Sequence, residues 1–202
     1  MRTSSLVVAA IAAAAVAFFG GRLSAQGVEP SCKLCSAVYI PASEIEQYLG
    51  VARATNPIDQ QMRSIDLGRA RVQIALVHRN KLDAPAARSV AEHDLVSEVY
   101  YVLSGSGTNR TSPEIVDPQR RPADDRAVRD LNGPGSNGTD LRNAATQELK
   151  AGDVLVIPAG TGHQFTKIDD HITYLMVRVD PDKVVPLMDE AASRKYLEQN
   201  RR

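Results

Sequence analysis

From residue 60 to residue 179 the chain is a succession of short β-branched and aliphatic runs broken by glycine, proline and asparagine, with helical patterns only on the flanks. Gln60 to Asp66 and Arg69 to Val77 read as two strands joined around Leu67-Gly68, the second carrying Val72, Ile74 and Leu76 on one face. Val99 to Leu103 reads as a third strand, stopped by Ser104-Gly105-Ser106-Gly107, and Val154 to Ile157 and His171 to Val179 bring strands back. Many short strands with glycine turns and only terminal helices specify an all-β sandwich or barrel. On the N-terminal flank Ser43 and Glu46 have the spacing of a capping box ahead of Tyr48 and Leu49, which predicts one short helix between Cys35 and Pro57. Pro186 to Gln199 predicts a closing helix with Asp189 and Glu190 in its first turn. Thr108 to Thr146 is polar and rich in Pro, Gly, Asn, Asp and Arg, and is expected to be a long loop: a lid, a binding loop or a disordered insertion.

The first residues set the expected compartment. Arg2 precedes an apolar run from Leu6 to Phe19 and then small and polar residues ending in Leu23-Ser24-Ala25, the order of a secretory signal peptide. The run is shorter than the roughly 20 residues a membrane helix needs. Cleavage after Ala25 gives an organisation of signal peptide (1–25), N-terminal entry segment (26–57), one barrel (58–185) containing the 108–146 loop, and a C-terminal helix and tail (186–202). The mature protein is then periplasmic or secreted, without a membrane span. The 24 basic and 24 acidic residues cancel, no long run of either sign occurs and Trp is absent, so neither a nucleic-acid surface nor an anionic-membrane surface is indicated. Cys32 and Cys35 are followed by Ser36, which excludes a haem-attachment motif, and they lack both a βαβ context and further soft ligands nearby. A small local disulfide in an oxidising compartment is the expectation.

Two stretches carry the chemistry. In the first, His93, four residues, Glu98, six residues and Gly105 follow in order; in the second, Gly152, five residues, Pro158-Ala159-Gly160, two residues and His163. They resemble the first and second motifs of the cupin superfamily, in order and separated by an insertion. The resemblance implies a double-stranded β-helix, or jelly-roll barrel, with a metal in its mouth held by His93, Glu98 and His163. Strand alternation agrees, since Glu98, Tyr100 and Val102 share one face and His163 and Phe165 another. If both faces line one cavity, two imidazoles and a carboxylate converge beside an aromatic wall, a set suited to Fe, Mn, Ni or Zn as a divalent ion with open positions. Tyr100 is then the candidate acid or base, and Phe165 and Val102 the candidate wall of the substrate pocket. The chain departs from the family pattern at Ala91, where a further histidine is usual, and at Lys167, where asparagine is frequent. His78 on the preceding strand is the one spare histidine with the position to stand in for the first.

Plainer readings exist for each ligand. His93 lies between Glu92 and Asp94, as a solvated surface histidine would, and His163 sits in a glycine turn where an imidazole can simply bond backbone groups. Glu98 resists such a reading, because a carboxylate leading into Val99 to Leu103 is costly to bury without a partner. Gly105-x-Gly107 lacks the third glycine and the helix of a phosphate loop, and Asn109-Arg110-Thr111 and Asn137-Gly138-Thr139 fit the glycosylation pattern. The ligand set favours a mononuclear metalloenzyme (oxygenase, lyase or isomerase) acting on a small organic molecule. The alternative is a non-catalytic exported cupin that binds a sugar or another small molecule, and a homodimer is the default assembly.

Overall fold

A computed structural model describes residues 29–54 and 59–200; the signal peptide expected over residues 1–25 lies outside them. The described residues fall into two units, 29–35 in one and 36–54 with 59–200 in the other. In the first, Cys32 and Cys35 are joined by a disulfide and Lys33 pairs with Glu29 at 2.8 Å. The second opens with helix α1 (Ala42–Ala54), then β1 (Asp59–Asp66), β2 (Arg71–Leu82), β3 (Val90–His93) and the long β4 (Ser97–Ser112). The short strands β5 (Ile115–Val116) and β6 (Gln119–Arg120) lead to a π-helical turn (Ala127–Asn132). Strands β7 (Gly135–Gly138), β8 (Asp140–Leu141), β9 (Ala145–Lys150), β10 (Val154–Ile157) and the long β11 (Gly162–Asp180) follow, and helix α2 (Glu190–Asn200) closes the unit. Among the described residues no helix is long and apolar enough to cross a membrane.

The two long strands carry the fold. β11 pairs with β4 antiparallel along most of both, from Gly162↔Ser112 to Val179↔Ser97. Each passes from one half of the barrel to the other: the late part of β11 also pairs with β2 and the early part of β4 with β10, while the early part of β11 meets β3 and the late part of β4 meets β9. The passage requires a bend, supplied by Gly105 at φ +74°, where an added Cβ would lie 1.9 Å from the His171 carbonyl oxygen. Ser104-Gly105-Ser106-Gly107 therefore bends a continuous strand, where the sequence was expected to stop one. This is the antiparallel double-stranded β-helix expected from the motifs.

Residues 108–146 are not a loop. They complete β4, add β5 to β8 and the start of β9, and include the π-helical turn, so the expectation of a long loop or disordered insertion is corrected. The polar composition misleads because these strands gain order from backbone pairing, such as β3 with β7 over Val90↔Gly138 to His93↔Gly135. Asn109 is fully buried and Asn137 accepts from Arg121 and donates to the Val90 carbonyl, so neither amide stands free as a glycosylation acceptor.

Strand β2 shows how alternation divides the core. Ala75 and Val77 enter the barrel with Tyr100, Val102, Phe165, Ile172, Tyr174 and Met176, while Ile74 and Leu76 point outward beneath the terminal helices with Tyr48, Val51, Met62 and Leu197. Each fully buried aliphatic side chain contributes about 1.5–3 kcal/mol of transfer free energy. Helix α1 begins at Ala42, with the Pro41 carbonyl accepting from the Glu44 and Ile45 amides, so Ser43 lies inside the helix and is not its cap. In α2 the Asp189 carboxylate accepts from the Ala192 amide at 2.8 Å, which makes it a side-chain N-cap.

Candidate metal centre

His93 ends β3, Glu98 lies at the second position of β4 and His163 at the second position of β11, so residues 70 apart in the chain meet inside the barrel. The second motif fixes this meeting through its turn. Pro158-Ala159-Gly160 closes with the Thr161 amide donating to the Pro158 carbonyl, and the Gly160 amide donates to the His93 carbonyl at 2.8 Å. The Ala159 amide donates to Ser97 Oγ at 3.0 Å, beside Glu98. The turn that carries His163 is thereby fastened to the strand ends that carry His93 and Glu98.

All three side chains are buried, and one donor atom from each lies within 4.8 Å of the others. His93 Nε2 is 3.4 Å from Glu98 Oε1 and His163 Nε2 is 3.5 Å from Glu98 Oε2. Two donors each about 2.1 Å from one ion stand roughly 3.0–3.4 Å apart for octahedral to tetrahedral angles, so the donor set fits a divalent metal. Burial works against the Glu98 charge, but His93, His163 and Arg178 outweigh it and hold the carboxyl well below the usual range. Burial pushes His163 down to about 4, so its imidazole is neutral at physiological pH. His163 Nδ1 faces the Thr161 carbonyl at 3.1 Å; the proton placed there leaves the Nε2 lone pair turned inward, as a metal-ligating histidine requires.

Two arginines act in the other direction. Arg178, fully buried, donates through Nε to Glu98 Oε1 at 3.3 Å and is paired with Asp59. Arg121 brings Nη1 to 3.4 Å from His93 Nδ1, and a guanidinium can only donate. Both add positive charge beside the donors and lower the affinity of the site for a cation.

The remaining predicted residues separate. Tyr100 is at the site, but its hydroxyl donates to Glu98 Oε2 at 2.8 Å, and burial together with the Glu98 charge pushes it well above the ordinary phenol range. The phenol therefore keeps its proton and holds one oxygen of the Glu98 carboxylate. Phe165 lines a cavity beside the site, whereas Val102 is packed in the apolar core and lines neither adjoining cavity. His78 is buried, bonded to Thr173 Oγ1 and Asn80 Oδ1 with its ring beside His171, and does not join the ligands. Ala91 is the register partner of His163, so the position usual for a further histidine does face the site and offers only a methyl group. Lys167 is outside, paired with Asp169.

The cavity at the site measures about 310 Å³. Its wall includes Arg79, Arg121, Asn132 and Arg178, none of which the motifs point to. A signal for two of them was present: Ile172, Tyr174, Met176 and Arg178 alternate inward along β11, as do Ala75, Val77 and Arg79 along β2, so each strand places an arginine in its buried phase. Asn132, whose amide lies 3.3 Å from His93 Nε2, comes from the π-helical turn and left no such trace.

The profile of the AraC-like ligand binding domain, a family with the cupin fold, matches residues 141–201. Together with the paired motifs and the strand architecture, this match identifies the fold of the chain as the cupin fold. Solved structures similar to it include a cupin protein from Bacteroides fragilis, at 19% identity over 58% of this chain and 72% of that chain with a TM-score of 0.33. A Bacillus halodurans protein matches at 14% identity over 79% and 95% with a TM-score of 0.42, and a Neisseria meningitidis protein at 11% over 66% and 96% with a TM-score of 0.36. No function passes from them to this chain at that distance. No curated protein matches the sequence.

Proposed function

We propose that this chain is an exported, mononuclear metal-dependent enzyme acting on a small organic molecule. The observation that carries this is the convergence of His93, Glu98 and His163, three buried donors from different strands around one point beside a cavity. A divalent ion there would supply Lewis-acid polarisation of a substrate oxygen, or reactivity toward dioxygen. The chain's own residues do the rest: Thr161 presets the His163 tautomer, Tyr100 and Arg178 orient the Glu98 carboxylate, and the barrel wall excludes water. The reaction class is an oxygenase, lyase or isomerase. The decisive experiment strips the purified protein with chelator and titrates it with Mn(II) under electron paramagnetic resonance. The free-ion signal should stay suppressed up to one equivalent per chain; a free-ion signal from the first addition, repeated with Fe, Ni and Zn by calorimetry, rules the reading out.

A second reading, a non-catalytic binding protein, is favoured by Ala91 and by the ion pair between Arg178 and Glu98, both of which weaken a metal site. It predicts ligand binding by protein that takes up no metal. For location, the Cys32–Cys35 disulfide supports an oxidising compartment, periplasmic or extracellular.

For assembly, we propose a homodimer through the outer face of β4 and β10. Tyr101, Val154 and Val156 are 48%, 60% and 61% exposed on one face, Val154 directly opposite Tyr101, and β10 pairs with β4 alone. An exposed apolar face on an edge strand is a hazard unless covered. Light scattering should give twice the chain mass, and Val156→Asp should give a folded monomer. A wild-type monomer at high micromolar concentration would discard this interface.

A further inference from the structure

We propose that the ligand of this site is a small organic anion, a carboxylate on an apolar or aromatic body, and that Arg79 is the residue that recognises it. The inference rests on the barrel interior being the working site, as proposed above, and deepens that reading by naming the class of ligand. A second cavity of about 190 Å³ adjoins the first and shares Arg79, Ala91, Tyr100 and His163 with it. Position 91 is central: an imidazole there would stand between the two spaces, and the alanine methyl leaves them adjacent.

Arg79 occupies this junction with most of its hydrogen-bonding capacity unused. Its Nε donates to the Tyr174 hydroxyl at 3.2 Å and its guanidinium lies 5.2 Å from the centre of the Phe165 ring. Among the described residues no carboxylate is within ion-pair distance of it and no protein acceptor meets Nη1 or Nη2. Its neighbours differ: Arg178 is held by Asp59 and Glu98, and Arg121 by Asn137 and the Glu92 and Ser136 carbonyls. The Nη groups face the cavity without a carboxylate partner, so a bound anion can meet them without displacing a protein group. The planar fork of Nη groups matches a carboxylate in two parallel hydrogen bonds. Around it Leu82, Pro85 and Phe165 offer an apolar wall for the rest of the molecule. A ligand anchored on Arg79 lies against His163 and Tyr100, which line both spaces, and so reaches the metal-ligand set.

The test compares benzoate with its neutral analogue benzamide by calorimetry, on chelator-stripped and on Mn-loaded wild-type protein and on the variants Arg79→Met and Ala91→Leu. Wild type should bind benzoate at least about tenfold tighter than benzamide in both preparations, the scale of a charge-assisted hydrogen-bonded pair. Arg79→Met should abolish that preference while benzamide affinity changes less than about twofold. Ala91→Leu, which fills the junction and leaves the guanidinium in place, should weaken benzoate binding and so serves if the Met variant does not fold. Absence of benzoate binding to wild type, equal affinity for the two probes, or a preference that survives Arg79→Met overturns the inference. A preference that depends on Arg79 in protein taking up no metal leaves it standing and removes the metal reading; metal uptake without the preference does the reverse.

Discussion

Replacing Glu98 by glutamine is expected to give a folded protein that no longer takes up the proposed metal. The amide keeps the volume of the carboxylate and still accepts from Tyr100, but it removes the negative charge that draws a cation to a site already bordered by Arg121 and Arg178. Outer-shell changes alone cost about 10–100-fold in metal affinity, so loss of a ligand in a three-donor site should cost at least about 100-fold. Titration of the variant with Mn(II) against wild type measures it. A glutamine variant that still takes up a full equivalent would show that the ion, if one binds, binds elsewhere.

Glu44→Ala is expected to destabilise the protein by about 3–5 kcal/mol, the range for removing one partner of a buried ion pair. Arg63 is 1% exposed and donates to both oxygens of Glu44, at 2.6 and 3.0 Å. Ser193 Oγ donates to the same carboxylate at 2.9 Å and is joined to the Tyr48 hydroxyl at 2.7 Å, so one network fastens both terminal helices to β1. Burial raises the Glu44 pKa, but Arg63 and Ser193 outweigh it and leave the group below its ordinary value of 4.5. The sign follows from linkage: the unfolded chain binds the proton more readily, so this contribution is complete above about pH 4.5 and is lost as the pH falls through the folded-state pKa. The gap between wild type and variant in urea unfolding should be full at pH 7 and should narrow below about pH 4.5. A gap under about 1 kcal/mol at pH 7 would mean that apolar contacts alone hold the helices.

How much of this was legible in the sequence follows from what each residue depends on. The meeting of His93, Glu98 and His163 was legible because their positions are set by short spacings within single strands and one turn. The inward alternation of Glu98 and Tyr100 needed only the two-residue period of a strand. Val102 obeys the same period, but it lies one step deeper, where the barrel is filled by side chains and no cavity remains. Residues 108–146 were misread because these strands owe their order to partners distant in the chain, as β7 does to β3, and carry little alternation of their own. Arg79 and Arg178 could have been found as charges in the buried phase of otherwise apolar strands. Their separate roles could not, since those depend on whether Asp59 and Glu98 stand opposite, and only the assembled barrel decides that.

The proposed function requires that one ion be held between His93, Glu98 and His163. Anomalous diffraction from crystals of the Mn- or Zn-loaded protein tests it most directly. One peak per chain is expected, about 2.0–2.2 Å from Nε2 of each histidine and from a Glu98 oxygen. Loaded crystals that show no peak at that point, with Arg178 still bonded to Glu98, would contradict it.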